Sequence, residues 1–193
     1  DVSIQGSGLE SIGYRAFYNC ESLSEIILPK SIRIIGEEAF KACYALGKAT
    51  IPEGVTNIGK SAFAWCDKLP EVVIPSTVTS IGNYAFSDCD SLKKVTIKDG
   101  VTSIGAYTFG YCDQLEEVSI PGSILTIGSE TFNECKNLNK VTIGNGVQNI
   151  NYRAFYNCEN LKEIILPNSI RIIGEEAFKA CYILGKATIP EGV

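Results

Sequence analysis

Cysteine falls on every twenty-third residue of this chain and nowhere else: Cys20, Cys43, Cys66, Cys89, Cys112, Cys135, Cys158 and Cys181. The register is wider than one residue type. A Phe lies three positions before each Cys, from Phe17 to Phe178, a Leu three after it, from Leu23 to Leu184, and an Ile eight before it, from Ile12 to Ile173. A fixed period in the range of about 20–50 residues specifies a solenoid or an array, because one such unit cannot bury its apolar face alone.

Each unit divides into pieces. Leu92-x-x-Val95-x-Ile97 alternates apolar and polar positions and is rich in β-branched residues, which predicts a short strand with one buried face. Pro29, Pro52, Pro75, Pro121, Pro167 and Pro190 end the strand, with Lys98 and Gly144 in their place elsewhere. A second extended piece, Val78-x-x-Ile81, follows. Gly82 then opens what the spacing of Ala85, Phe86 and Cys89 predicts to be a short helical turn with one face inward. That Gly recurs seven before each Cys except at Asn151, and Asn is the residue that best replaces Gly at positive φ, so a left-handed backbone is expected there. The expected fold is an α/β repeat: a right-handed solenoid of 23-residue coils, one parallel sheet on one face and short helical turns on the other. Residues 1–193 are expected to form a single solenoid, with a partial coil over 1–12 and a truncated final coil ending at 193. The surplus residue of the partial coil falls in Gln5-Gly6-Ser7-Gly8. Such an array reads as part of a longer one, and incomplete end coils imply a tendency to associate end to end.

A second period lies inside the first. Five residues after successive Cys come Glu25, Lys48, Glu71, Lys94, Glu117, Lys140, Glu163 and Lys186, alternating in sign without exception. Two positions further on, Thr50, Thr96, Thr142 and Thr188 alternate with Ile27, Val73, Ser119 and Ile165. Gly54, Gly100, Gly146 and Gly192 alternate likewise with Ser31, Thr77, Ser123 and Ser169. The true unit is therefore a pair of coils, 46 residues long. Like charges on neighbouring strands repel, which gives the alternation a physical reason. A third level is a near copy: residues 13–55 and 151–193 differ at five positions only.

The form Ile-Gly-x-x-Ala-Phe-x-x-Cys-x-x-Leu-x-x-Val-x-Ile-Pro resembles the BspA-like (Treponema-type) class of leucine-rich repeats, and it holds with small departures, such as Thr108 and Thr131 for Ala, in every coil. The resemblance implies a bacterial or protist surface protein, on the cell surface or secreted, that binds host matrix or cell-surface proteins. Extended surfaces of solenoids suit protein partners on physical grounds as well.

Other functions find little support. There is no His, which removes the commonest general base and metal ligand. A net charge of −5 argues against nucleic acid. No apolar run is long enough for a membrane span, and the start, Asp1-Val2-Ser3-Ile4, has no signal-peptide character. The Cys spacing fits no zinc knuckle, so free buried thiols are expected, with no metal and no cofactor. Gly54-Val55-Thr56-Asn57-Ile58-Gly59-Lys60-Ser61 matches the nucleotide-binding pattern G-x-x-x-x-G-K-S. Val55 and Ile58 stand at core positions of the repeat, so a nucleotide-binding enzyme is the weaker alternative, as is a structural spacer or assembly unit.

The favoured reading is a non-enzymatic binding or adhesion module whose contact face is the outward side of the sheet. Its candidate residues are the charged row Glu25, Lys48, Glu71, Lys94, Glu117, Lys140 and Glu163 and the flanking row Ile27, Thr50, Val73, Thr96, Ser119, Thr142 and Ile165. The competing surface carries Tyr18, Trp65, Tyr111 and Tyr156, which flank the Cys on the turn side.

Overall fold

The computed structural model describes residues 2–3, 8–191 and 193, with backbone alone at 2–3. The readings placed on Gln5–Ser7 and Gly192 lie outside the described residues. The chain is a parallel β-solenoid of about eight turns, each 23 residues long.

Strands form two columns rather than one sheet. The first column holds Val2–Ser3, Glu25–Ile27, Lys48–Thr50, Glu71–Ile74, Lys94–Ile97, Glu117–Ile120, Lys140–Ile143, Glu163–Ile165 and Lys186–Thr188. The second holds the shorter pieces Ser11–Ile12, Ile34–Ile35, Asn57–Ile58, Ser80–Ile81, Ser103–Ile104, Thr126–Ile127, Asn149–Ile150 and Ile172–Ile173. All pairing is parallel and in register by whole coils, so Glu71 pairs with Lys94 and Ile58 with Ile81. The first column divides between Lys48–Thr50 and Glu71–Ile74. Its cause is Pro70. In several other coils the residue before the strand donates its N–H to the preceding coil, as Gly47 does to Ser24 (2.9 Å), Lys93 to Pro70 (2.8 Å) and Glu116 to Lys93 (3.0 Å). Proline has no N–H to give, and that rung is lost. The second column divides between Ser103–Ile104 and Thr126–Ile127.

No helix forms among the described residues. The expected helical turns are instead runs of tight turns, with positive φ at two fixed places in every coil, five and one before the Cys. In the coil of Cys43 these are Glu38 (φ 55°) and Ala42 (φ 61°). Alternate N–H groups bond locally, Ala39 to Gly36 O and Lys41 to Glu38 O, while those between reach the next coil, Glu38 to Lys60 O, Phe40 to Ala62 O and Ala42 to Ala64 O. A helix would keep its hydrogen bonds within one coil; the stack redirects half of them between coils. The left-handed backbone costs roughly 1–2 kcal/mol per non-Gly residue, which intercoil hydrogen bonding and burial offset.

The Gly seven before each Cys is corrected in the same way. Among the described glycines, positive φ occurs at Gly54, Gly100 and Gly146 instead. Gly36, Gly59, Gly82 and Gly105 are needed because a Cβ would strike the preceding coil: at Gly105 it would lie 2.4 Å from the backbone N of Asn83.

The core is a set of columns running through the stack. The eight Phe rings form one offset stack, with centroid separations of 5.1–5.6 Å. Stacks of this kind add roughly 0.5–1.5 kcal/mol per pair beyond burial. All eight Cys are free thiols, six of them fully buried. Their role is more specific than that of a small apolar residue. From Cys43 to Cys181 each Sγ lies 3.1–3.4 Å from the Phe carbonyl of the coil before, a thiol donor for that oxygen.

Candidate functional site

The first strand column places the two candidate rows side by side on its outer face, because residues two apart in a strand share a side. Ile26, Val72, Val95, Val118 and Ile164 between them point inward and are buried. Ile27, Val73 and Ile165 stand outward at 49%, 47% and 57% exposure. Thr50, Ser119 and Thr142 are exposed beside them, and Thr96 is half-buried.

The charged row does not pair evenly. Lys48 meets Glu25 at 2.5 Å, Lys140 meets Glu117 at 2.6 Å and Lys186 meets Glu163 at 3.2 Å. Every one of these contacts runs from a Glu coil to the Lys coil after it. The hydrogen bond from Lys140 and its charge hold the Glu117 carboxyl below the usual carboxylate range. Glu71 and Lys94, though in register, make no ion pair among the described residues.

The opposite step, from a Lys coil to the next Glu coil, is tied at the turn after the strand. Thr77 Oγ1 accepts from the Gly54 N–H at 2.9 Å and donates to Val55 O at 2.8 Å. Ser123 does the same between Gly100 and Val101, and Ser169 between Gly146 and Val147. Gly100 has φ +121°, and a Cβ there would lie 2.1 Å from Ser76 O, so only glycine fits. The 46-residue period is thus two kinds of coil junction in alternation.

Two crevices open on this face at Lys-to-Glu steps. One, of about 460 Å³, is lined by residues that include Lys48, Ala49, Thr50, Pro70, Glu71 and Val73. The other, of about 550 Å³, is lined by Lys140, Thr142, Ile143, Glu163 and Ile165. Pairing between those two strands is confined to Thr142 and Ile165.

On the turn side, the aromatic side chains are already engaged within the protein. Arg15 lies 4.8 Å from the Tyr18 ring, Lys41 Nζ 5.2 Å from Trp65, and Arg153 4.9 Å from Tyr156. Tyr111 stacks on Tyr107 at 6.3 Å, and Tyr107 on Tyr84 at 4.9 Å. Sequence reasoning missed the carboxylates that organise these cations. Glu38 bonds Arg15 and Lys41, the latter at 2.7 Å, and Glu176 bonds Arg153 and Lys179 at 2.5 and 2.6 Å. The repeat of Glu-x-x-Lys in the two near-copies was the signal for it. Also missed was the stack of Asp67, Asp90 and Asp113, one after each of three successive Cys. Burial and the neighbouring carboxylates hold the Asp67 and Asp90 carboxyls above their usual range.

The segment Gly54–Ser61 is built into the coil. Val55 and Ile58 are fully buried. Its N–H groups are spent on the solenoid: Gly54 to Thr77, Thr56 and Asn57 to Arg33 O, Gly59 to Ile35 O and Ser61 to Asn83 O. They are not arranged to wrap a phosphate. No helix among the described residues is long and apolar enough to cross a membrane.

Comparison with known proteins bears on the same features. The family description "BspA type leucine rich repeat region" matches in six copies over residues 1–116 and 102–193. A leucine-rich repeat protein of Treponema pallidum is 32% identical, with a TM-score of 0.78 over 83% of this chain and 77% of that one. A leucine rich cell surface protein of Faecalibacterium prausnitzii is 23% identical, with a TM-score of 0.52 over 94% of this chain and 77% of that one, and shows the same fold. No curated protein matches the chain.

Proposed function

We propose that this chain, which belongs to the BspA-type leucine-rich-repeat family, is a non-enzymatic protein-binding or adhesion module of a cell-surface or secreted protein. Its partners are host matrix or cell-surface proteins, and its contact face is the outer side of the first strand column. The family is typically non-catalytic, and the chain resembles bacterial cell-surface proteins of this class. The observation that carries the choice of face is the row Ile27, Val73 and Ile165, three apolar side chains held near half exposure among balanced charges. Apolar groups on an open sheet face suit a contact surface. The turn-side aromatics compete less well, because each already contacts a cation or a neighbouring ring of the same chain.

The test is binding to a panel of purified matrix and cell-surface proteins by two variants that stay folded. One carries Ile27→Ser, Val73→Ser and Ile165→Ser. The other carries Tyr18→Ser, Trp65→Ser, Tyr111→Ser and Tyr156→Ser. The first is expected to lose the ligand and the second to keep it. Loss in the second alone would move the contact to the turn side.

A further inference from the structure

We propose that the outer sheet face also takes a second copy of this chain, docked face to face with the coil order reversed. This rests on the reading of that face as the contact surface, and it names one occupant.

The argument is self-complementarity. The row contains eight charges that alternate strictly, beginning with Glu25 and ending with Lys186. A two-fold axis parallel to the strands lays the row of one copy on the row of the other in reverse. Glu25 then faces Lys186, Lys48 faces Glu163, Glu71 faces Lys140, and Lys94 faces Glu117. All eight contacts have opposite sign, which an alternating row achieves under reversal only when its number is even. A two-fold axis along the solenoid would set Glu on Glu and Lys on Lys. The charges therefore choose between the two face-to-face dyads, and a closed dimer requires such a self-complementary patch. Lys48, Lys140 and Lys186 are 63–68% exposed, and each ammonium has donors left over from its ion pair. Glu71 and Lys94, which make no ion pair of their own among the described residues, would gain one each.

The flanking row and the crevices obey the same dyad. Ile27 meets Thr188, Ile165 meets Thr50, and Val73 meets Thr142, so each protruding apolar group meets a smaller side chain bearing a methyl. The strands that border the first crevice, at Lys48 and Glu71, lie opposite those that border the second, at Glu163 and Lys140. Ile165 of one copy is thereby aimed at the crevice lined by Ala49 and Thr50 of the other.

The size of the face sets the strength. Eight strands about 4.8 Å apart, each about four residues long at about 3.3 Å, give about 500 Å² per copy and about 1,000 Å² in all. That is the lower end of specific interfaces, and the dimer is therefore weak and reversible.

Two half-row charge swaps test it by sedimentation velocity over a concentration series. One variant carries Glu25→Lys, Lys48→Glu, Glu71→Lys and Lys94→Glu. The other carries Glu117→Lys, Lys140→Glu, Glu163→Lys and Lys186→Glu. Each retains alternation except at the 94/117 junction, and a thermal melt verifies the fold. In either variant alone the dyad sets like charge on like, so association is expected to weaken at least about tenfold. An equimolar mixture restores opposite signs at all eight contacts and is expected to dimerise as the parent does. A parent chain that stays monomeric throughout would overturn the proposal, as would swapped variants that dimerise alone or a mixture that does not. A monomeric parent whose Ile27/Val73/Ile165 serine variant still loses a matrix ligand would remove the second copy and leave the contact face standing.

Discussion

The thiol of Cys89 lies 3.2 Å from the carbonyl oxygen of Phe63, across one coil boundary and inside the core. The same contact joins each Cys to the preceding Phe from Cys43 onward, so the two residue types that mark the period are also bonded to one another.

Alkaline pH should unfold the solenoid through these thiols. Burial pushes the Cys43 and Cys181 thiols up to about 11 and Cys89 up to about 12. A free thiol titrates near 8.5. Because the folded value is the higher one, stability is complete below the unfolded value and is lost as pH rises from there through the folded values. The urea midpoint should therefore fall steadily from about pH 9 upward. At pH 8 a thiol reagent should find at most the two end thiols, Cys20 and Cys181, in the native chain, and all eight in urea without reductant. Six core thiols that react natively as fast as in urea would contradict this.

Substituting the interlocking glycines should divide them sharply by position. A Cβ at Gly105 would sit 2.4 Å from Asn83 N and 2.7 Å from the carbonyl carbon of Gly82, both backbone atoms that cannot swing away. At Gly13 nothing lies within 4 Å. Gly105→Ala is expected to cost about 1–3 kcal/mol by forcing coils apart, and Gly13→Ala less than about 0.5 kcal/mol. Equal effects in denaturant melts would show that close approach to the preceding coil does not explain the repeat of this glycine.

Those glycines also show where the sequence was legible and where it was not. The period, the buried Phe, Cys, Leu and Ile columns and the outward placement of Glu25 or Ile27 followed from spacing alone. The turns did not. Ala85, Phe86 and Cys89 share an inward face whether the backbone is helical or a run of tight turns, so their spacing could not separate the two. What decides is the hydrogen bonding between coils, with Phe86 N–H going to Thr108 O, and that contact spans 22 residues of sequence. The alternation of Gly100 with Ser123 was visible as a pattern; its meaning, a hydroxyl that accepts from one coil and donates back to it, required the coils in place. In the candidate site, the charged row was legible, but its uneven pairing and the gap at Pro70 were not.

The aspartate stack gives a prediction of the same pH sense as the thiols, but in the acid range. Burial first, then Asp90 and Asp88, raises the Asp67 carboxyl; burial, then Asp113 and Asp88, raises Asp90. Lys68 works against the shift at Asp67. A folded value above the unfolded one means that ionisation opposes folding at neutral pH, and that this loss disappears as pH falls below the unfolded value. Asp90→Asn is accordingly expected to raise Tm at pH 7 and to make little difference near pH 3, below the ordinary Asp value of about 3.9. A lower Tm at pH 7 would show that Asp90 is stabilising where it stands.

Lysine footprinting tests the central claim most directly. Lys48, Lys94, Lys140 and Lys186 stand in one row on the sheet face, whereas Lys41, Lys60 and Lys179 lie on the turn side with Glu38, Glu37 and Glu176. A soluble acylating reagent is applied to the free and the ligand-bound chain, and mass spectrometry reads each lysine separately. With a saturating ligand found among the matrix and cell-surface proteins, the four sheet lysines should be protected and the three turn-side lysines should react as they do in the free chain. Protection of Lys41, Lys60 and Lys179 with the sheet row left reactive would contradict the assignment of this face.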